Sequence, residues 1–261
     1  MKSKKLKKWT TLLTCATALT VMTACSQSSS QSTGTTSSTT SKTSAVTATT
    51  SKKTNKNNSN YFTSKDSDTS YNESSATKIK LSGSSADVSG DGAALSGSTV
   101  TISKAGTYVI SGKSDGLQIK VDAGDSDDVH IVLDGVTMTN TNAAINATKA
   151  GHVYLTLKDG TANTLSDSSS NSDEDADAVI FSKGDLTING SGTLNIDAKK
   201  NNGIKANDSL HMTGGTYKIS SVGDAFNVND ELNITGTTMT IEAEEDGVKV
   251  DNDDDTSVGT M

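Results

Sequence analysis

The sequence has no proline and no arginine, and it has few aromatic residues. Only 3% of its 261 residues are Phe, Trp or Tyr, and two are cysteines, Cys15 and Cys25. So few aromatic side chains exclude a conventional thick globular core, and any fold must bury small and β-branched side chains in a narrow space. The absence of proline suits long β-ladders, because proline removes a hydrogen-bond donor.

Charge is unevenly distributed along the chain. All 23 basic residues are lysine, against 31 acids. Residues 77–261 contain 13 of the lysines and 28 of the acids, so this part has a net charge of −15. Affinity for phosphate backbones needs clustered cations, and this balance therefore argues against nucleic acid as a partner.

Residues 1–24 predict a lipoprotein signal peptide. Five lysines precede an apolar run from Trp9 to Ala24 that is too short and too threonine-rich for a transmembrane helix. Met22-Thr23-Ala24-Cys25 resembles the lipobox of bacterial lipoproteins. The resemblance implies that Cys25 is lipidated and that the protein is anchored, through lipid only, at the extracytoplasmic face of the cell membrane. The alternative is an ordinary signal peptide with a fortuitous cysteine.

Residues 25–76 predict a disordered linker. This tract is rich in Ser, Thr, Asn and Lys and contains Thr35-Thr36-Ser37-Ser38-Thr39-Thr40. Such a composition cannot bury enough apolar surface to offset chain entropy. We expect a flexible tether between the membrane and a domain that spans residues 77–261.

Residues 177–261 repeat with a period of about 22 residues. Each period begins at an Asp or Asn followed by an alternating strand, and two further short strands follow in phase. The leading residues are Asp177, Asn202, Asp224 and Asp246. Repeats of this length favour a solenoid in which each coil pairs with the next. A β-sandwich is the alternative, but it would not keep three strands in phase across successive coils.

The alternation assigns side chains to the interior or the surface. Alignment on the leading residues places Val179, Ile204, Phe226 and Val248 in one interior column, with Phe181 in the next. The same alignment places Ile180, Lys205, Asn227 and Lys249 in an outward row.

Two irregularities interrupt the repeat. About a dozen extra residues, near 166–175, predict a loop on one face of the solenoid. At the C-terminus the fourth coil stops at Met261 after its first strand. An open solenoid end exposes unpaired strand edges, so we expect a truncated chain or a partner that covers the end.

Several motifs resemble one bacterial lipoprotein family, the carbohydrate-binding domain proteins. They are Asp177-Ala178-Val179-Ile180-Phe181-Ser182-Lys183-Gly184, Asn189-Gly190-Ser191-Gly192-Thr193-Leu194 and Ala105-Gly106-Thr107-Tyr108-Val109-Ile110. The resemblance covers about residues 77–261. It implies an all-β fold, a right-handed parallel β-helix with three-strand coils related in shape to pectate lyases. It also implies calcium as a cofactor and binding to cellulose- or pectin-like polysaccharides.

The acidic residues suggest where calcium would bind. Calcium takes six to eight oxygen ligands, and alternating or stacked carboxylates provide them. Solubilising surface charge and ordinary turn chemistry, in which Asx side chains bond nearby backbone, explain the same residues without a metal. The candidate ligands are Asp173, Asp175, Asp177, Asp224, Glu245, Asp246, Asp251 and Asp253.

The outward row Lys205, Asn227 and Lys249 is the candidate carbohydrate-binding site. A lysine beside calcium is also what a pectate-type β-elimination needs, with the lysine as the base. Exposed lysines that balance neighbouring acids are the simpler interpretation. His130, His152 and His211 fall in or beside separate strands, which disfavours a catalytic triad or a zinc site. Tyr154 is the outward aromatic candidate for stacking on a sugar.

The sequence therefore predicts non-catalytic polysaccharide binding by a surface-anchored, calcium-containing β-helix. A calcium-dependent polysaccharide lyase and a structural adhesin or spacer are the alternatives.

Overall fold

Two β-sheets form the protein in the computed structural model, which describes residues 61–252, 255, 257, 259 and 261. The predicted signal peptide, Cys25, the linker up to residue 60 and Asp253 lie outside the described residues. The only helix in the described part is a 3₁₀ turn, Lys65–Ser67. Within that part no helix is long and apolar enough to cross a membrane.

The N-terminal strands form an irregular first region. Two antiparallel pairs occur here, β1 with β2 and β3 with β4, whereas the other pairings between strands are parallel. The strands are β1 Thr77–Gly83, β2 Ser85–Ser89, β3 Ala93–Ser96, β4 Thr99–Ile102, β5 Gly106–Asp115, β6 Gln118–Asp122, β7 Asp128–Thr139, β8 Ile145–Lys149, β9 His152–Leu157 and β10 Ala162–Ser166.

The repeat predicted from the sequence forms regular three-strand coils. In each, two strands belong to the larger sheet and one to the smaller, and every strand pairs in parallel with the equivalent strand of the next coil. The strands are β11 Ala178–Ser182, β12 Leu186–Gly190, β13 Thr193–Ala198, β14 Asn202–Ala206, β15 Ser209–Thr213, β16 Thr216–Ser221, β17 Phe226–Val228, β18 Glu231–Thr235, β19 Thr238–Ala243 and β20 Lys249–Val250.

The sheet order shows how the coils join the first region. The larger sheet runs β18-β15-β12-β9-β7-β10-β13-β16-β19, and the smaller runs β20-β17-β14-β11-β8-β6-β4-β3. The long strand β7 pairs with β9 through Asp128–Leu133 and with β10 through Thr137–Thr139. It therefore joins the second-strand and third-strand faces of the coils into one sheet.

Glycine permits the tight turn before the third strand. Gly214 has φ +96°, and a Cβ at this position would lie 2.6 Å from the carbonyl oxygen of Gly190 in the preceding coil. A larger residue would meet both backbone strain and a clash, because positive φ is a region that glycine alone enters freely.

The core is a continuous apolar column, as the sequence predicted. Along the smaller sheet Ile145, Ile180, Ile204 and Phe226 lie opposite one another, each at most 2% exposed. Parallel pairing of equivalent positions stacks these side chains coil upon coil and satisfies the strand backbones at the same time.

The predicted interior column was wrong by one residue in its first coil. The structure pairs Ala178, not Asp177, with Asn202, so Ile180 faces inward opposite Ile204. Phe181, expected inside, lies opposite Lys205 on the outer side. Because side chains alternate along a strand, a one-residue slip exchanges the two faces.

The predicted loop covers the displaced phenylalanine. Residues 167–177 connect β10 to β11, and Ala176 from this loop packs with Phe181 and Ala143 in a small apolar cluster outside the main core. Phe181 is consequently only 4% exposed although it points away from the column.

The start of the domain also differs from the prediction. Residues 61–76, which we interpreted as the end of the linker, lie across the outer side of the larger sheet, with Asp66 2% exposed. We call this segment the strap. Its composition resembles that of a linker because most of its contacts with the sheet are polar; Phe62 and Tyr71 are the exceptions.

Candidate functional site

The lysine row lies on the outer side of the smaller sheet. We use this name for Lys205, Asn227 and Lys249, which the strand register places opposite one another on β14, β17 and β20. The outward row predicted from the sequence is therefore present, with Phe181 in place of Ile180 at its covered end. Adjacent strands are about 4.8 Å apart, so these side chains repeat at that interval.

Both lysines of the row are paired with acids that the sequence had proposed as metal ligands. Lys205 Nζ lies 2.7 Å from Asp177 Oδ1, and Lys249 Nζ lies 3.6 Å from Asp251 Oδ2. The Lys205 side chain is 20% exposed and the Lys249 side chain 43%. These contacts make the row less cationic than its lysines alone suggest, in line with the charge-balancing interpretation.

The leading residues of the coils form a ladder of side-chain hydrogen bonds. Asn202 Nδ2 donates to Asp177 Oδ2 at 3.3 Å, the backbone N–H of Asp224 donates to Asn202 Oδ1, and that of Asp246 donates to Asp224 Oδ1 at 3.0 Å. Asn227 Nδ2 also donates to Asp224 Oδ2 at 2.8 Å. The predicted column exists, and it is held by turn chemistry of the Asx type.

Asp173 and Asp175 belong to the loop that covers Phe181. The Asp173 carboxylate accepts the backbone N–H groups of Asp175 and Ala176 at 3.2 and 3.0 Å, which fixes the turn into β11. Asp175 is exposed. Asp177 points instead to Lys205 and to the amides of Asn201 and Asn202.

A preformed calcium site does not fit these acids. Hydrogen bonds or ion pairs already occupy the carboxylates of Asp173, Asp177 and Asp224, and in the described part of the chain no three acidic, His or Cys side chains converge as a metal site requires. Glu245 and Asp246 are exposed on the last coil, as is Asp251. Asp253 is outside the described residues.

The larger sheet carries a second polar surface, on the outer side of β7, β9, β12, β15 and β18. Register brings His130, Tyr154, Thr187, His211 and Asn233 into one row across these strands. Beside it lie His152, Thr156, Asn189 and Thr213. We call these nine residues the histidine face. The sequence had set its three histidines aside as unconnected.

The strap covers this face through a buried carboxylate. Asp66 Oδ1 accepts a hydrogen bond from Thr187 Oγ1 at 2.7 Å and lies 3.3 Å from His211 Nδ1, without hydrogen-bond geometry to the latter. Asp66 Oδ2 accepts the backbone N–H and the hydroxyl of Thr63. Asn233 Nδ2 donates to the carbonyl of Tyr61 at 3.3 Å.

Two relays fix the protons of His130 and His152. The Thr187 hydroxyl donates its proton to Asp66, so it accepts from His152 Nε2 at 2.9 Å. The Thr156 hydroxyl donates to Asn189 Oδ1 at 2.6 Å, so it accepts from His130 Nε2 at 2.7 Å. Each histidine is thus assigned as a donor at Nε2, because a hydroxyl has only one proton to give.

Burial governs the charges under the strap. It lowers the pKa of His130 and of His152, since an imidazolium loses hydration there. Burial acts to raise the pKa of Asp66, but hydrogen bonds from Thr187 and Thr63 outweigh it, and the pKa of Asp66 lies below its usual range. The face is therefore arranged to hold a carboxylate while its two relay histidines stay neutral.

The sequence held part of the signal for this face. The repeat spacing aligns Leu186-Thr187-Ile188 with Leu210-His211-Met212, which puts Thr187 beside His211. It held no signal for Asp66, because a lone acid in a serine- and threonine-rich stretch has no periodicity that marks it as buried.

Two comparisons with known proteins point to the same family. A family model described as carbohydrate-binding domain-containing protein matches residues 96–261. A curated protein of that description from Acetivibrio thermocellus is 38% identical over 137 residues, which are 50% of this chain. The match spans 48% of the relative, so the chain covers about half of its length.

A solved structure has a similar fold. It is described as the polysaccharide lyase-like protein from C. thermocellum, gadolinium derivative, and it superposes with a TM-score of 0.56 at 25% identity. The similarity covers 66% of this chain and 93% of that one. The family model spans most of the solenoid, including both outer surfaces described above, and the chain belongs to the carbohydrate-binding domain-containing protein family.

Proposed function

We propose that the protein binds polysaccharide without cleaving it, and that the lysine row is a binding surface. The observation that carries the proposal is the alignment of Lys205, Asn227 and Lys249 on successive parallel strands of a carbohydrate-binding domain. Regularly spaced donors suit a polymer with a repeating unit. The ion pairs with Asp177 and Asp251 hold both lysine side chains along the row.

The fold that we propose in detail is a right-handed parallel β-helix. Its support is the pairing of each strand with the equivalent strand of the next coil and the similarity to a polysaccharide lyase-like protein. Right-handedness follows from the strong preference for right-handed crossovers between parallel strands. An experimental structure tests it.

Binding to a panel of glycans tests the function directly. The triple variant Lys205→Ala, Asn227→Ala, Lys249→Ala is expected to lose at least tenfold in affinity for the polysaccharide that the native protein retains in a pull-down. The matched control is Lys218→Ala, which removes an exposed lysine from β16 on another face. Equal affinity of the triple variant and the native protein would sink the assignment to this row.

Polysaccharide cleavage is the second candidate, favoured by the lyase-like description of the solved neighbour. The exposed Lys249 is then the candidate base, since Lys205 is held against Asp177 at 2.7 Å. Unsaturated products detected by ultraviolet absorbance from polygalacturonate with calcium would establish it. If the protein bound no plant or cell-wall glycan, the remaining candidate function would be that of a structural adhesin or spacer.

Calcium and surface anchoring complete the proposal. We propose that calcium binds at the last coil, at Glu245, Asp246, Asp251 and Asp253, because protein groups engage the carboxylates of Asp173, Asp177 and Asp224. A cation there would compete with Lys249 for Asp251. Calorimetric melting with and without chelator tests it, and an unchanged midpoint counts against structural calcium. Lipidation of Cys25 is tested by metabolic labelling with palmitate, with Cys25→Ala as the unlabelled control.

A further inference from the structure

The strap is attached to the sheet by polar contacts. Of residues 61–76 only Asp66 and Ala76 are buried. The rings of Phe62 and His211 meet edge to face with centroids 5.7 Å apart. Tyr71 meets the His130 ring at 6.0 Å and packs against Ala76, Val109 and Val132. A segment with so little apolar burial opens at a small cost in free energy, because each hydrogen bond that it loses to the protein is regained from water.

In the hydrogen bonds between the strap and the nine residues of the histidine face, the face donates and the strap accepts. Lys65 of the strap donates instead to Asp128, which lies outside the face. Asn189 Nδ2 donates to the carbonyls of Asp66 and Asp68 at 3.2 and 3.1 Å, and Thr213 Oγ1 donates to the carbonyl of Asp66 at 2.5 Å. Thr187 and Asn233 donate as well, to the Asp66 carboxylate and to the Tyr61 carbonyl. The face thus presents hydrogen-bond donors to a chain of acceptors with one carboxylate at its centre.

An aromatic platform lies next to the carboxylate position. The rings of His152 and Tyr154 are stacked at 4.1 Å with an interplanar angle of 15°. Lys65 of the strap places its ammonium over the Tyr154 ring, 4.8 Å from the centroid, and also pairs with Asp128. Without the strap, the face of Tyr154 that Lys65 covers would be open beside the donors of Thr187 and Asn189.

We propose that the histidine face is a second binding site, for a polysaccharide that carries carboxylates, and that the strap occupies it in competition with that ligand. The Asp66 carboxylate stands where a sugar carboxylate binds, and the strap carbonyls stand where hydroxyl and ring oxygens bind. This inference rests on the proposed function only in taking the ligand to be a polysaccharide. The site itself is separate from the lysine row.

The strap sets the apparent affinity of this site. When only a fraction of molecules has the face open, the apparent dissociation constant is the intrinsic constant divided by that fraction. A change that weakens the strap without touching the face should therefore tighten binding of an acidic oligosaccharide. Removing Asp66 also removes a negative charge from the neighbourhood of an anionic ligand.

The test uses calorimetric titration of the full chain with tetragalacturonate and, for comparison, neutral cellotetraose. Asp66→Ala is the principal variant, and Thr63→Ala, which leaves every residue of the face intact, is the second in case the first fails to fold. Amide exchange of residues 61–76 reports whether the strap has opened. We expect both variants to open it and to bind tetragalacturonate at least fivefold more tightly, with no gain for cellotetraose.

Further substitutions show which surface is responsible for the tighter binding of tetragalacturonate. Adding Asn189→Ala to either variant should remove the increase, whereas adding the triple substitution of the lysine row should leave the ratio unchanged. An open strap without tighter binding, a strap that stays closed in both variants, or an equal gain for cellotetraose overturns the inference. The two proposals can also fail separately. If the strap variants bind tetragalacturonate more tightly while the native protein shows no glycan binding by the lysine row, the second site is supported and the proposed function is contradicted.

Discussion

Two segments cover the outside of the sheets, and they do so by different physical means. The loop of residues 167–177 buries Phe181 against Ala143 and Ala176, an apolar contact. The strap of residues 61–76 buries the Asp66 carboxylate against Thr187 and beside His211. An apolar cover is costly to open, because water does not compensate for the apolar surface that is exposed. Polar contacts can be exchanged for hydrogen bonds to water or to a ligand. The loop is therefore a structural cover, and the strap is a replaceable one.

Phe181→Ala should have the largest effect on stability. Phe181 is 4% exposed, and deleting a buried phenylalanine costs about 3–5 kcal/mol of unfolding free energy. Chemical denaturation measures the loss, with Val222→Ala as the control, because Val222 is 40% exposed and its truncation should change stability by less than about 0.5 kcal/mol. A cost for Phe181→Ala as small as that of the control would mean that the loop is no structural cover.

Thr187→Ala should weaken the strap by a smaller amount. It removes the donor to Asp66 Oδ1 and the acceptor for His152, at a cost of about 1–3 kcal/mol. We expect the loss to be seen as faster amide exchange in residues 61–76, with slower exchange retained in β11 and β14. Thr240→Ala, at an exposed position of β19, is the matched control. Global unfolding in place of local opening would contradict the idea of a replaceable strap.

The two covers should respond oppositely to pH. Under the strap, burial lowers the pKa of His130, which faces Asp68 and Lys65, and of His152, which faces Asp185, Asp66, Asp128 and His211. Opened or unfolded chains protonate these histidines near pH 6.5, so strap stability is complete above that pH and falls as the pH drops below it. In the loop, burial raises the pKa of Asp167, so its contribution is lost as the pH rises through that raised pKa.

Thermal unfolding, and proteolysis of the strap and of the loop, between pH 8 and pH 3 measure this difference, because the Asp167 contribution is complete only below the unfolded pKa of about 3.9. The double variant His130→Gln, His152→Gln should flatten the strap profile, whereas Asp167→Asn should flatten only the profile of the loop. The same pH response in both segments would remove the distinction between them.

Lys65→Ala should give the smallest effect. Lys65 pairs with Asp128 and lies over Tyr154, but its side chain is 53% exposed. Exposed ion pairs contribute less than about 1 kcal/mol, and salt screens them. The variant should open the strap slightly at low salt and match the native protein at high salt, with Lys80→Ala as the control for removal of an exposed lysine. If Lys65→Ala opened the strap as much as Thr187→Ala does, Lys65 and not Asp66 would be the main anchor of the strap.

Much of the solenoid was readable from the repeat. The second and third strands of each coil occur where the spacing put them, and the Asx column from Asp177 to Asp246 hydrogen bonds from coil to coil. The first strand of the long coil was misplaced by one residue. Because this coil carries an extra loop, its strand could be aligned with the next coil only through the leading residue, Asp177. The strand pairing instead aligns Ala178 with Asn202.

By itself the sequence determined the period, the alternating strands and the outward row of Lys205, Asn227 and Lys249, because these follow from regular spacing along the chain. Only the tertiary structure decided that Phe181 is covered, that three distant histidines share a face, and that Asp66 is buried there against Thr187, 121 positions away. Polar contacts between residues so far apart leave no local pattern, since their partners are chosen by how the coils stack and not by their neighbours in sequence.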